Sequence, residues 1–257
     1  MQDRTLTSVQ IKALRRFDDS NVVGEAWASG FFWRHNGKRY LITNWHNATG
    51  RNPHRGTYIG SFAPSHFEVS YATCSRTNPE STQVRHHNAE LSLYKNHDFT
   101  WLQHPKGSTV DAIAIEFPEL DDELQTVYLN DMDFENSWQP KPGDECFIVG
   151  YPEGLSGPLR TPIHKRASVA SEPAASKMAA EPILVDTLGN PGLSGSPVFA
   201  RGSGIFNPGF KEGLQPDTIF GTWETFLGMY SGRIGDLGLG LQLGRVVSRE
   251  DIQKIFE

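Results

Sequence analysis

The chain has 257 residues and a formal net charge of −6, from 24 Lys and Arg against 30 Asp and Glu. This balance argues against a sequence-independent nucleic-acid binder, because phosphate contacts need clustered cations. The composition is that of an ordinary globular protein, and 25 Gly with 16 Pro favour a loop-rich β structure.

The N-terminal third begins with a helical pattern and continues with strand patterns. Ile11, Leu14 and Phe17 recur at helical spacing behind Ser8, which predicts a short N-terminal helix. Short apolar or alternating runs follow from Val22 and predict the strands of a first β unit, at about residues 20–125. These runs are EAWASGFFW, KRYLITNW after the turn HNGK, HFEVSYATC, LSLYK and VDAIAIEF.

The second half repeats this organisation after an acidic, turn-rich connection at 118–143. A second β unit is predicted at about residues 140–245, followed by a closing helix at 246–257. In that helix Ser248 and Asp251 fit a capping box. The predicted strands are ECFIVGY, RTPIHKRASVAS, EPILVDTL, SPVFA, TFLGMY and LGLQLG.

Three segments carry residues of the kind that nucleophilic catalysis uses. His46 follows the apolar run YLIT, Asp111 opens the apolar run DAIAI, and the stretch NPGLSGSPVF holds Ser194 and Ser196. Taken singly, each has a structural explanation: one of nine histidines, a turn aspartate and a Gly/Ser surface loop. Their order and contexts together favour a base, an orienting carboxylate and a nucleophile, with either serine in the last role.

These segments resemble one known family. LITNWH, VDAIAI and GNPGLSGSPVF look like the trypsin-like (chymotrypsin-fold) serine proteases, in the bacterial branch that includes the high-temperature-requirement proteases. SGFFW, PGDECFIVGYPEGL and FLGMYSG resemble that branch in the same order, so that the likeness covers about residues 25–245. The resemblance implies one peptidase domain over 1–257, all-β, with two six-stranded antiparallel β-barrels and the site between them.

The resemblance also implies a role for each site residue. His46 is the expected general base and acid, Asp111 its orienting carboxylate and Ser194 the nucleophile, with the backbone N–H groups of Gly192 and Ser194 as the oxyanion hole. Ser196 departs from the family, which usually has a second glycine there. Leu193 stands where digestive members carry an aspartate that pairs with a newly cut N-terminus, so we expect no activation by such a cut.

The same resemblance locates a pocket for the substrate residue before the cleaved bond (P1). Leu188 is its expected base, and Tyr230, Ser231 and Gly232 its expected wall. Because an apolar base leaves a buried cation unpaired, we expect small or medium aliphatic P1 residues rather than Lys or Arg.

Other chemistries fit the sequence less well. An α/β-hydrolase needs glycine two residues after the nucleophile and the order Ser, Asp, His, whereas Ser196 and the order His, Asp, Ser stand here. His86 and His87 are adjacent rather than at ligand spacing and no H-E-x-x-H occurs, so we expect no metal and no cofactor. The remaining alternative is a silent protease-fold scaffold that binds a polypeptide or partner protein.

Location and partners follow from what the sequence lacks. Only two cysteines occur, Cys74 and Cys146, too few for a disulfide framework, although a bridge between them stays open. The first residues show no apolar core of signal-peptide type, and no run of 18 apolar residues occurs in the sequence. We expect a cytoplasmic protein with a polypeptide substrate and no membrane partner, with a trimmed secreted form as the alternative. A regulatory partner protein and the oligomeric state stay open.

Overall fold

The computed structural model describes residues 3–18, 21–78, 81–118, 126–134, 138–206, 218–234 and 241–257. Four short α-helices lie in these ranges: α1 (Asp3–Thr7), α2 (Trp45–Thr49), α3 (Pro173–Ala179) and α4 (Arg249–Gln253). The strands are β1 (Ser8–Asp18), β2 (Asn21–His35), β3 (Lys38–Thr43), β4 (His66–Asn78), β5 (Ser81–Ser92), β6 (Tyr94–Lys95), β7 (Asp98–Phe99), β8 (Trp101–Gln103), β9 (Ile113–Glu116), β10 (Glu145–Gly150), β11 (Ile163–Val169), β12 (Ile183–Asp186), β13 (Pro197–Phe206), β14 (Ile219–Arg233) and β15 (Leu243–Ser248).

The strands form two antiparallel units in succession, which confirms the predicted all-β architecture. The first unit is a seven-stranded sheet, one strand more than predicted, in the order β5-β4-β1-β2-β3-β9-β8. Its two edge strands approach each other at Thr100. The Thr100 amide donates to the Leu93 carbonyl (3.2 Å) and its hydroxyl to the Ser92 carbonyl (2.8 Å). The second unit is a closed six-stranded barrel in the order β10-β11-β12-β15-β14-β13.

The central strands of the first unit are buried on both faces. Along β2, Phe32 packs into the core of the first unit, whereas Phe31 and Trp33 pack into a second cluster shared with the other unit. Along β3, Leu41 packs into the core of the first unit and Ile42 into the shared cluster, because successive side chains of a strand point to opposite faces. This double burial explains why these strands read as continuous apolar runs.

The helix predicted behind Ser8 is wrong, and the short N-terminal helix of the protein lies before that residue. Residues Ser8–Asp18 are strand β1, paired with both β2 and β4, and the helix α1 covers only Asp3–Thr7. The first unit therefore begins at Ser8 rather than near residue 20. Val9, Ile11 and Ala13 alternate into the core, whereas Phe17 is 83% exposed. Pairing on both edges outweighed the chance helical spacing of the apolar residues.

Most other predicted elements are confirmed. The last strand starts at Leu243, and part of the predicted run LGLQLG lies outside the described residues, as does part of the connection 118–143. The closing helix is present as α4, where the Asp251 amide donates to Ser248 Oγ (3.1 Å). No described helix has the length and apolar character needed to cross a bilayer.

Candidate active site

His46 lies on a single helical turn that follows a buried strand. Strand β3 ends at Thr43, and α2 begins two residues later and is capped by Gly50, whose φ of 68° lies in the left-handed region. The Gly50 amide donates to the His46 carbonyl (2.8 Å), and a Cβ on Gly50 would lie 2.5 Å from the Phe62 carbonyl oxygen. The turn that carries His46 is therefore closely constrained.

Asp111 accepts hydrogen bonds from three donors on two different segments. Its Oδ1 accepts from the His46 amide (2.9 Å), and its Oδ2 accepts from His46 Nδ1 (2.6 Å) and Ser231 Oγ (2.6 Å). The Asn44 side chain also donates to the Asp111 carbonyl (2.7 Å). This arrangement fixes the imidazole ring with Nδ1–H toward the carboxylate and Nε2 away from it.

The environment keeps the Asp111 carboxylate ionised. Burial by itself raises the pKa of Asp111, but the positive charge that His46 can carry and the bonds from His46 and Ser231 outweigh it. The pKa of Asp111 therefore lies below its ordinary value. An ionised carboxylate in contact with Nδ1 favours the neutral tautomer whose Nε2 is basic, and it stabilises the imidazolium.

Ser194 lies in the second of two successive glycine turns. The Leu193 amide donates to the Asn190 carbonyl (3.3 Å), and the Ser196 amide donates to the Leu193 carbonyl (3.0 Å). The third residue of each turn is a glycine at positive φ, 89° at Gly192 and 91° at Gly195. Positive φ at only that position indicates type II turns, and Pro191 precedes the first glycine as such turns favour.

In the part of the chain that the structure describes, the two turns leave the amide groups on either side of the Leu193 amide without hydrogen-bond acceptors. Within the described residues, neither the Gly192 N–H nor the Ser194 N–H donates a hydrogen bond. Nothing bulkier than glycine fits at 192, because a Cβ there would lie 2.5 Å from both the Glu153 nitrogen and the Tyr151 carbonyl oxygen. The turn therefore presents two N–H groups of the kind that can hold an oxyanion.

The structure brings Ser194 next to the helical turn of His46. Asn47, which follows His46, donates from Nδ2 to the Ser194 carbonyl (3.1 Å). The Ser194 hydroxyl lies 3.9 Å from the point that a Cβ on Gly232 would occupy, and Gly232 follows the Ser231 that contacts Asp111. Among the described residues no hydrogen bond joins Ser194 Oγ to His46; such contacts are often long before substrate binds.

The two unusual neighbours of Ser194 are both fully buried. Leu193 packs into the core of the second unit, so the turn is anchored by apolar contact. The Ser196 side chain packs against Gly150, where a Cβ would overlap Ser196 Oγ. The turn accommodates Ser196 because Gly150 has no side chain.

The four predicted pocket residues have different surroundings. Leu188 is 53% exposed, and Tyr230 is almost completely buried. A Cβ on Gly189 would overlap Tyr230 Oη and lie 2.9 Å from Arg233 Cγ. The side chains of Tyr230 and Arg233 therefore occupy the space next to Gly189. Ser231 uses its hydroxyl on Asp111, whereas Gly232 adopts a φ of 104° close to Ser194 Oγ.

Sequence reasoning missed two polar residues that support the site. Ser29 is fully buried and contacts the turn around Ser194, and Thr43 is buried beneath Ser29. The only signal was a polar residue within each apolar run, ASGFFW and YLIT. The described residues contain no group of side chains suited to a metal ion, and Cys74 and Cys146 form no disulfide with each other.

Comparison with known proteins identifies a family. A family model described as the trypsin-like peptidase domain matches residues 28–204, a range that includes His46, Asp111 and Ser194. No curated protein matches the chain significantly. One similar solved structure is the thermostable serine protease AL20 from an extremophilic microorganism, at 12% identity and a TM-score of 0.50, covering 99% of this chain and 97% of that one. Another is GrC, at 14% identity and a TM-score of 0.46, covering 96% and 92%.

Proposed function

Because the chain belongs to the trypsin-like peptidase family and is a serine endopeptidase, we propose that His46, Asp111 and Ser194 are its catalytic triad. The observation that carries this assignment is the set of three donors on Asp111, two of them from His46. The position of Ser194 in the second of two glycine turns, beside α2, supports it. The high-temperature-requirement branch remains a proposal based on sequence resemblance.

The proposed reaction follows from the chemistry of these groups. Ser194 Oγ attacks the peptide carbonyl carbon while His46 Nε2 takes its proton, and the N–H groups of Gly192 and Ser194 bind the resulting oxyanion. His46 then returns the proton to the leaving amine. Water then attacks the carbonyl carbon of the acyl-enzyme while His46 Nε2 takes its proton. His46 passes this proton to Ser194 Oγ as the product acid leaves. Each oxyanion donor is worth about 3 kcal/mol of barrier, so the turn contributes alongside the nucleophile.

The proposed specificity is for small or aliphatic P1 residues. Leu188 offers an apolar surface, and Tyr230 and Arg233 occupy space beside Gly189. A long cationic P1 side chain would meet no described carboxylate among these residues and would lose its hydration. Proteomic cleavage profiling of the wild type against Ser194→Ala tests this preference, and sites dominated by Lys or Arg before the cut would contradict it.

Labelling with a fluorophosphonate probe tests the nucleophile. We expect the wild type to be labelled at Ser194 and Ser194→Ala to stay unlabelled, because only a serine activated by His46 attacks phosphorus quickly. Ser196→Ala is the matched control, since it removes a hydroxyl two residues away, and it should still be labelled. Labelling that persists in Ser194→Ala would exclude Ser194 as the nucleophile.

A further inference from the structure

Each carbonyl group from Pro191 to Ser194 accepts a hydrogen bond. Two of these bonds come from the second unit and three from the first. The donors are Glu153 N to Pro191 O (2.7 Å), Ser29 Oγ to Gly192 O (2.8 Å), Ser196 N to Leu193 O (3.0 Å), and Ser29 N (2.8 Å) and Asn47 Nδ2 (3.1 Å) to Ser194 O.

The hydrogen bonds on these carbonyl groups determine the directions of the Gly192 and Ser194 N–H groups. In a planar trans peptide the C=O and the following N–H point in opposite directions. The bond on the Pro191 carbonyl therefore orients the Gly192 N–H, and the bond on the Leu193 carbonyl orients the Ser194 N–H. The Gly192 and Ser194 carbonyls accept their bonds from the first unit, and these bonds fix the Gly192–Leu193 and Ser194–Gly195 peptide planes.

Ser29 is the residue that joins these contacts. Its hydroxyl donates to the Gly192 carbonyl and accepts from the Tyr151 amide (3.0 Å), while its own amide donates to the Ser194 carbonyl. Tyr151 lies two residues before Glu153, whose amide holds the Pro191 carbonyl. One buried hydroxyl thus contacts both the turn and the segment that supports it from behind.

Two further side chains hold Ser29 in place. Thr43 Oγ1 donates to the Ser29 carbonyl (2.8 Å), and Asn47 Nδ2 donates to Thr43 Oγ1 (2.9 Å) as well as to Ser194. The Ser29 carbonyl also packs so closely on Gly195 that a Cβ there would overlap it. We call Ser29, Thr43 and Asn47 the Ser29 clamp.

We propose that Ser29 is a positioning residue that, through the Ser29 clamp, holds the oxyanion turn of the second unit from within the first unit. The inference rests on the proposed function, because it assigns a role to the turn that carries the proposed nucleophile. Correct docking of the two units then fixes the Gly192–Leu193 and Ser194–Gly195 peptide planes and so supports the orientation of the Gly192 and Ser194 N–H groups.

The substitution Ser29→Ala tests the proposal. It removes one donor and one acceptor without adding volume, so the Gly192 carbonyl and the Tyr151 amide lose their partner. We expect kcat on a peptide substrate to fall about tenfold or more, since a misaligned oxyanion donor acts in the transition state. We expect KM to stay within about twofold and the pH profile to keep its shape, because the contact of His46 with Asp111 is untouched.

A matched control separates positioning from loss of stability. Ser176→Ala removes the hydroxyl of another buried serine, whose contacts are with Ser171 and Pro182. We expect this variant to keep the wild-type kcat, even if its melting temperature falls as much as that of Ser29→Ala. Should Ser29→Ala fail to fold, Asn47→Ala removes the second donor to the Ser194 carbonyl, and its kcat should fall severalfold.

The outcomes distinguish this inference from the proposed function. An unchanged kcat in Ser29→Ala, or an equal loss in Ser176→Ala, overturns the role of Ser29 while leaving the triad assignment intact. A loss confined to KM also overturns it. Failure of the fluorophosphonate probe to label the wild type instead contradicts the proposed function itself. The kcat comparison is therefore made on preparations titrated with that probe.

Discussion

At the scale of single residues, Asp111 shows how burial and hydrogen bonding compete. The carboxylate is buried, which disfavours its charge, yet two His46 donors and the Ser231 hydroxyl lower its pKa below the ordinary value of 3.8. A carboxyl whose pKa is lower in the folded state contributes stability above its unfolded pKa. That contribution is lost as the pH falls through the folded pKa.

We predict that Asp111→Asn lowers kcat by about 10⁴-fold, because an amide does not hold the His46 tautomer or stabilise its cation. We also predict that the free energy of unfolding of this variant falls less steeply than that of the wild type as the pH drops below 3.8. Steady-state kinetics and urea unfolding at several pH values measure both. Parallel stability curves for the two proteins would contradict the assigned pKa shift.

Gly150 and Ser196 form a complementary pair of residues behind the turn. Ser196 is fully buried, and the missing side chain of Gly150 leaves room for its hydroxyl. A Cβ on Gly150 would overlap Ser196 Oγ and would also lie 2.8 Å from Ser29 Oγ. The unusual serine at 196 is therefore tolerated because of a glycine on β10.

We predict that Gly150→Ala destabilises the protein by about 2–3 kcal/mol through overpacking. Ser196→Gly in the same chain should recover part of this loss, because it removes the larger of the two overlaps. A double-mutant cycle of unfolding free energies measures the coupling between the two positions. Additive effects of the two substitutions would show that they do not share this space.

At the scale of elements, the C-terminal helix α4 connects the second unit to the loop between β8 and β9. His104 in that loop is buried, its Nδ1 accepts from the Lys106 amide (3.0 Å), and its Nε2 lies 3.8 Å from Asp251 Oδ1 on α4. Burial lowers the pKa of His104 and outweighs the opposing effect of Asp251, which is the next largest; Lys254 and Lys106 also lower this pKa, whereas Glu257 raises it.

We predict that this histidine makes the fold sensitive to acid. Because its folded pKa lies below 6.5, His104 contributes stability above pH 6.5 that is lost as the pH falls below that value. His104→Asn keeps an acceptor for the Lys106 amide but does not titrate, so its melting temperature should fall less between pH 7 and pH 5. The wild type and His104→Asn both contain His86 and His164, so these two histidines affect both proteins alike. An equal fall of the melting temperature in the wild type and in His104→Asn would contradict this role for His104.

At the scale of the whole molecule, the interface between the two units is a core in its own right. Phe31, Trp33 and Ile42 from the first unit pack with Phe199, Phe226 and Met229 from the second. Ile252 and Ile255 at the C-terminus complete the cluster. The same strands β2 and β3 that enter this core carry Ser29 and Thr43, so the packing of the units and the position of the turn are coupled.

We predict that the protein is active without cleavage of its chain. Leu193 anchors the turn in the core of the second unit, so no new N-terminus is needed to pair with a charge at this position. After fluorophosphonate labelling, intact mass spectrometry should show the uncleaved chain carrying one adduct. Adducts found only on shortened chains would show that cleavage is required.

Local sequence predicted most strands of this protein and the residues proposed as its catalytic triad. The apolar runs around Phe32, Leu41 and Ile148 predict strands because their side chains are buried on both faces. Asn190, Pro191 and Gly192 predict a tight turn because Pro fixes φ and Gly tolerates a positive φ. The capping residue Ser248 marks the start of α4 for similarly local reasons.

Only the tertiary structure decided what depends on contacts between distant residues. Residues 8–18 form a strand because β2 and β4 pair with its two edges. The spacing of apolar residues within 8–18 does not show these distant partners. Ser231 was predicted to line the pocket, yet its hydroxyl donates to Asp111 across 120 residues of chain. Ser29 looked like an ordinary strand residue, because its contacts with Tyr151 and Gly192 arise only when the two units pack together.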